Sequence, residues 1–335
     1  VIGSLQSLGL GIVIVMATML MIALLSSPFE SMFWWSRRQR RDALPEPHPL
    51  AEPPRNPPAV VIYLSGIGTL AGDAHPRSER KFLRRLEGRI APALLLSEVF
   101  PYSAKGVPLN GERLFNWLWE AQGRIKARDG FGAFGVNLRN LFQVLVSADR
   151  RYGPIYSAGV ADLVLAQLRA NGIGPDYRGP LIFVGYSGGA QVSVGMAPFL
   201  RAHVAGPMYL LTLGGVISSD HGLTELEEVI DFRGPKDRVV TYGAVGFVPR
   251  WPIFRNSDWN IARRAGKFET RTLDGMGHNG RGGYLDRLAR DKAGRSNLER
   301  TVEAIATEVD EITRRAPSGP TAPAAGGVQD AEGPA

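Results

Sequence analysis

The run "LIFVGYSGGAQVSVGMAPFL", Leu181 to Leu200, constrains this chain more than any other stretch. Its apolar opening has the character of a strand covered on both faces, and its second half reads as helix. Between them Gly185, Ser187 and Gly189 are spaced G-x-S-x-G. A serine at the tip of a tight strand-to-helix turn sits in strained backbone, and side chains two residues to either side would collide. The turn exposes the hydroxyl at a helix N-terminus, where free N–H groups and the dipole favour developing negative charge. A corner made only of small residues is the bland alternative. Placement between a buried strand and a helix speaks against it.

The same alternation continues along the chain. Apolar runs predict strands at Val60–Leu64, Ala93–Phe100, Leu181–Tyr186, Met208–Leu213, Val229–Arg233 and Phe268–Leu273, and helical patterns fall near 76–90, 136–150, 155–170, 189–203, 284–291 and 297–314. Strand–helix alternation of this kind predicts an α/β fold, a mostly parallel doubly wound sheet with right-handed crossovers. One connection is too long. About eighty residues separate the second and third strands, where one crossover helix needs a few tens. The surplus, about 103–151, holds "RLFNWLWEAQ" and "FGAFGVNLRNLFQVLV" and reads as a helical insertion over the sheet's carboxyl edge. A cap, a membrane-contacting surface and plain extra core all remain open for it.

A serine needs a base. Of the five histidines, His48 lies in a proline-rich spacer, His203 near a helix end, and His75 and His221 in loops without an orienting acid. His278, in "LDGMGHNG" just past the last strand, shares the carboxyl edge with Ser187 and is the base expected. A carboxylate must then set its tautomer. Asp237, in the turn "GPKDRVV", is the first choice, and Asp220, in "ISSDHG" after the fourth strand, is the alternative acid. In "YLSGIGTL", Gly66 and Gly68 let backbone approach a ligand. N–H groups of Gly66 or Ile67, with that of Gly188, are the expected oxyanion donors.

With these residues in place the chain resembles the α/β-hydrolase family, through the elbow at Ser187, "GPKDRVV" at Asp237, "GMGH" at His278 and the order Ser, Asp, His. The resemblance covers about 59–315. It implies an eight-stranded sheet, acyl transfer to water through an acyl-serine intermediate, no cofactor and no metal. The chain departs from the pattern in passing from spacer straight into the strand before the oxyanion loop. It also has "SGIG" in that loop, and it carries the long second crossover.

Both ends have a different composition. Leu5 to Leu25, "LQSLGLGIVIVMATMLMIALL", is long enough as a helix to cross a bilayer, about 30 Å. Phe33, Trp34 and Trp35 follow at interface depth, then Arg37, Arg38, Arg40 and Arg41. Residues 1–29 therefore predict a transmembrane segment, with a buried core helix as the alternative, and the arginines place the remainder of the chain on the cytoplasmic side. Residues 44–58 hold seven prolines, so 30–58 reads as a basic, extended linker. Residues 316–335 lack large apolar side chains and read as a disordered tail.

The net charge of +7 owes four of its excess charges to those arginines, and no nucleic-acid-binding signature accompanies it. Cysteine is absent, which excludes disulfides, thiolate metal sites and a lipidated cysteine. "GIGTLA" (66–71) also fits the dinucleotide fingerprint G-x-G-x-x-A, but that fingerprint wants an acidic residue about 20 positions on, at the end of the next strand, and Glu98 lies thirty from Gly68 and inside the second predicted strand instead. The expectation is thus a membrane-anchored serine hydrolase acting on a small-molecule or lipid-like ester. A tethered, non-catalytic binding module and a dinucleotide-binding protein are the competing readings.

Overall fold

The computed structural model of the chain describes residues 56–69, 75–102 and 131–316. The apolar stretch 5–25, the arginine cluster, His48, most of the linker, residues 103–130 of the insertion and the tail beyond Ala316 lie outside the described residues.

Every strand expected from the sequence is present: β1 (Val60–Leu64), β2 (Leu94–Leu96), β3 (Leu181–Tyr186), β4 (Met208–Leu213), β5 (Glu228–Arg233) and β6 (Phe268–Thr272). They form one all-parallel sheet in the order β2-β1-β3-β4-β5-β6, with Val60 opposite both Leu94 and Leu181. Seven helices are described: α1 (Arg77–Ile90), α2 (Phe131–Ala148), α3 (Gly153–Ala170), α4 (Gly189–Arg201), α5 (Arg238–Gly246), α6 (Asp258–Arg264) and α7 (Asn297–Arg315). The α/β doubly wound class is the observed one, with six strands among the described residues where the resemblance implied eight.

Strand alternation explains the two layers. Val60, Ile62, Leu181 and Phe183 join Val160, Val164, Val192 and Met196 of α3 and α4 on one face. Val61, Tyr63, Ile182 and Val184 pack with Phe82, Leu86, Ile305 and Val309 of α1 and α7 on the other. Each such side chain contributes about 1.5–3 kcal/mol on burial, which holds the sheet rigid beneath its carboxyl edge. The order of strands reverses between β1 and β3, because β2 lies on one side of β1 and β3 on the other. That reversal opens a crevice at their carboxyl ends.

The structure corrects the sequence reading in four places. The second strand stops at Leu96, because the Ser97 carbonyl accepts from His75 Nε2 (2.8 Å) instead of extending the ladder. Glu98 therefore lies in the loop after it, exposed. Residues 284–291 form turns, since the Asp286 carboxylate takes the N–H groups of Gly282 and Leu288 and competes with helix. Helices α5 and α6 were not expected; their caps, Asp237 and Ser257, are local signals that an apolar periodicity does not reveal. Among the described residues no helix is long and apolar enough to cross a membrane.

Candidate active site

Ser187 sits where β3 ends and α4 begins, with φ at +53°. A non-glycine residue in that region is strained and is held there by its surroundings. Its N–H donates to Leu213 O (3.0 Å), and its carbonyl accepts from Val216 N (3.2 Å). The elbow glycines have the expected steric role. A Cβ on Gly185 would lie 2.6 Å from Ala190 Cα, and one on Gly189 would lie 2.3 Å from Leu64 O.

His278 lies 91 residues beyond Ser187 and 41 beyond Asp237, and the fold brings the three together. His278 Nε2 lies 2.9 Å from Ser187 Oγ, and His278 Nδ1 lies 2.8 Å from Asp237 Oδ2. If Nδ1 carries the proton, it donates to the carboxylate and leaves Nε2 to accept the serine hydroxyl. Asp237 is the N-cap of α5, and its Oδ1 accepts from Val239 N and Val240 N (2.9 and 3.2 Å). Burial alone would raise its carboxyl. The bonds from His278 and Tyr284, the imidazole's charge and the Val240 N–H outweigh that and hold it below the usual carboxylate range. It stays an anion, as an orienting acid must.

Several contributors escaped the sequence reading. Tyr284 OH donates to Asp237 Oδ2 (2.6 Å) and accepts from Gly234 N (2.9 Å), while burial and the adjacent carboxylate raise its own pKa and keep it a neutral donor. Tyr186 stacks on the imidazole at 5.6 Å between centroids, and its OH donates to the His278 carbonyl (2.9 Å). Gly214, at φ +57°, forms the floor beneath them. A Cβ there would come within 2.6 Å of Asp237 Oδ2 and 3.0 Å of His278 Nδ1. Only the "LGG" at the end of β4 hinted at it.

The loop after β1 lies beside the elbow. A Cβ on Gly66 would lie 3.7 Å from Ser187 Cβ, and one on Gly188 would meet Ile67 Cγ2 at 3.2 Å and Val144 Cγ2 at 2.5 Å. Among the described residues the N–H groups of Ile67 and Gly188 have no hydrogen-bond acceptor. Asn140 of α2 pins the loop by donating to Ile67 O (2.6 Å) and Thr69 O (2.9 Å), and Tyr102 OH donates to Ser65 O (2.7 Å). The described part of the insertion thus does lie over the sheet's carboxyl edge and braces it.

Asp220 is corrected as the alternative acid. Its carboxylate accepts from Gln191 Nε2 (3.0 Å) and Gly222 N (2.9 Å), capping a short 3₁₀ turn, and burial raises its pKa. Helix α4, which carries Gln191, engages it in place of the imidazole. The dinucleotide fingerprint is not met either. Gly66–Thr69 close into a turn (Thr69 N to Gly66 O, 3.2 Å), and the next described helix begins only at Arg77. Among the described residues no group of histidines and acids could hold a metal ion.

No protein-family model matches the sequence, and no curated protein matches it. Among solved structures it is similar to a puromycin-hydrolyzing peptidase of Mycobacterium tuberculosis, at 13% identity over 77% of this chain and a TM-score of 0.41. The chain spans about a third (35%) of that peptidase. A carboxylesterase from Mesorhizobium loti is similar at 14% identity over 76% of this chain and 90% of its own, with a TM-score of 0.37. Est1E from Butyrivibrio proteoclasticus is similar at 12% identity over 80% and 92%, with a TM-score of 0.34. Overlap this loose carries no functional weight, and the chemistry has to be read from this chain's own atoms.

Proposed function

We propose that this chain is a serine hydrolase of the α/β-hydrolase type, held at a membrane by residues 5–25, that cleaves a carboxylic ester with a hydrophobic acyl chain. The observation that carries the reading is the continuous hydrogen-bond path from Ser187 through His278 to Asp237 at the sheet's switch point. His278 Nε2 takes the hydroxyl proton as Ser187 Oγ attacks the ester carbonyl carbon. The carbonyl oxygen becomes an oxyanion within reach of the Ile67 and Gly188 N–H groups, each donor being worth about 3 kcal/mol in the transition state. Collapse breaks the bond to the leaving oxygen, which takes the proton from the imidazolium. Water, deprotonated by His278, then attacks the acyl-serine carbonyl; collapse breaks the bond to Ser187 Oγ, which takes the proton back from the imidazolium, and the acid is released. Asp237 fixes the imidazole and balances its transient charge.

Ile67 and Val144, whose methyl groups lie against Gly188 of the elbow, favour an apolar acyl group. For the tether, support comes from sequence: the length of the apolar stretch, its flanking aromatics and its arginines, which argue for a cytoplasmic catalytic domain. No cofactor enters these steps.

The test is labelling with a fluorophosphonate probe and peptide mapping of the modified residue. Ser187 should carry the label, and Ser187→Ala should abolish labelling and lower kcat by about 10⁴–10⁶. Esters of graded chain length should favour longer acyl groups. A folded chain that takes no label would favour the non-catalytic binding module instead.

A further inference from the structure

Helix α5 departs from the rest of the fold. Of its nine residues only Val240 is buried. Tyr242 and Val245 stand exposed on it, and Val248, Trp251, Ile253 and Phe254 continue the exposed apolar surface through the turns beyond it, Ile253 at 79% and Tyr242 at 68%. Scattered exposed apolar side chains are ordinary, whereas a contiguous set marks an interaction surface.

The segment beneath them is built. Asn260 Nδ2 donates to the carbonyls of Trp251 and Phe254, both at 3.0 Å, and the Trp251 indole N–H donates to Val245 O (3.1 Å). Arg250 turns inward, with its guanidinium donating to Ile217 O (2.9 Å) and lying 3.7 Å over the Trp259 ring. So tied, the backbone holds its apolar side chains outward.

Charge indicates the occupant. Between Asp237 and Asp258 the chain carries no acidic residue, while Arg238 and Arg255 are exposed at the two ends of the surface. Exposed aromatic and aliphatic groups rimmed by arginines that form no ion pair among the described residues fit the boundary of an anionic bilayer. A second copy of this face would set arginine against arginine across a two-fold interface. The position also matters. Asp237 opens α5, and Gly243 lies against Val216, whose N–H is bonded to the Ser187 carbonyl.

We propose that the face formed by α5 and the turns to Phe254 docks on an anionic lipid surface, with its apolar side chains in the headgroup–acyl boundary and its arginines on lipid phosphates. This contact is additional to the tether proposed at residues 5–25 and seats the Ser187 site against the bilayer.

Because the chain has no cysteine, Ile253→Cys gives a single attachment point for an environment-sensitive fluorophore on the full-length protein. In vesicles of phosphatidylcholine with phosphatidylglycerol, the label should be quenched by nitroxide-bearing lipid and shielded from aqueous iodide. A label at Lys292→Cys, on the exposed loop before α7, should behave oppositely. Arg238→Gln with Arg255→Gln should weaken docking by about thirtyfold, since each arginine near an anionic surface contributes about fivefold. A label at 253 that remains open to iodide overturns the proposal. One shielded from both quenchers is covered by protein and also overturns it. Equal quenching in purely phosphatidylcholine vesicles overturns the anionic assignment. The measurement works equally on a Ser187→Ala chain, so its failure is distinct from failure of the hydrolase reading.

Discussion

Ser296 and Asp237 each stand at the N-cap of a helix, α7 and α5, and each accepts bonds from N–H groups of the first turn. Ser296 forms a reciprocal capping box with Glu299, and the helix behind it buries Leu298, Val302, Ile305, Val309 and Ile312 against the sheet. Its far rim is fastened to α1 through Arg89, which pairs with Glu303 and Asp310. Asp237 caps a helix that buries one residue. It spends its second oxygen on His278 and Tyr284. The same local device serves stability in one place. In the other it sets the direction of a carboxylate, with little packing to reinforce it.

The largest test of that contrast is Asp237→Asn. It keeps an acceptor for the helix cap but disturbs the imidazole tautomer, and kcat should fall by about 10⁴. The variant should also change the pH dependence of stability. Asp237's folded pKa lies below its unfolded value. Its contribution is therefore fully present above about pH 4 and is lost as pH falls through the folded value. Melting temperatures of the two proteins should separate at neutral pH and approach one another below about pH 4. A constant gap down to about pH 2 would show that the carboxylate is not stabilised in the fold.

Tyr284→Phe is the intermediate case. It removes one donor from Asp237 Oδ2 and leaves Gly234 N–H without its acceptor. A bond to a charged group is worth about 1.5–3 kcal/mol, so kcat should fall by about tenfold to a hundredfold. Because the tyrosine acts through the carboxylate, the acid limb of the pH–rate profile should move as well; a loss of stability with an unchanged profile would make it merely structural.

The smallest effect belongs to Ser296→Ala. Loss of the cap should lower stability by about 1 kcal/mol and leave kcat unchanged, measured by denaturant titration beside ester turnover. A matching drop in kcat would erase the distinction between the two caps.

The legible parts of this protein are those whose physics is local. A serine can occupy positive φ at a strand-to-helix turn only with glycines on either side, so Ser187 and its elbow can be found in a pentapeptide. Runs such as "VVIYL" and "LIFVGY" carry strand placement for the same reason, since a strand covered on both faces has apolar residues throughout. The 284–291 helix failed because a single carboxylate, Asp286, captures local N–H groups, and periodicity does not register such a competitor.

The choice between Asp237 and Asp220 illustrates the other limit. Both come after strands, so the sequence made Asp237 the first choice, kept Asp220 as the alternative, and left open which of the two meets the histidine. Tertiary structure decided which: α4 holds Asp220 through Gln191, while the turn after β5 meets the histidine loop through the bond from Lys236 N to Met276 O (3.0 Å). Tyr284, Tyr186 and Asn140 were hidden likewise, since their bonds join residues 47, 92 and 73 positions apart. The strand order that sets Gly66 beside Ser187 belongs to this second kind. A strand's run of apolar residues says that it must pair and be covered on both faces, but which strand it pairs with depends on how the whole chain can bury both faces of the sheet at once.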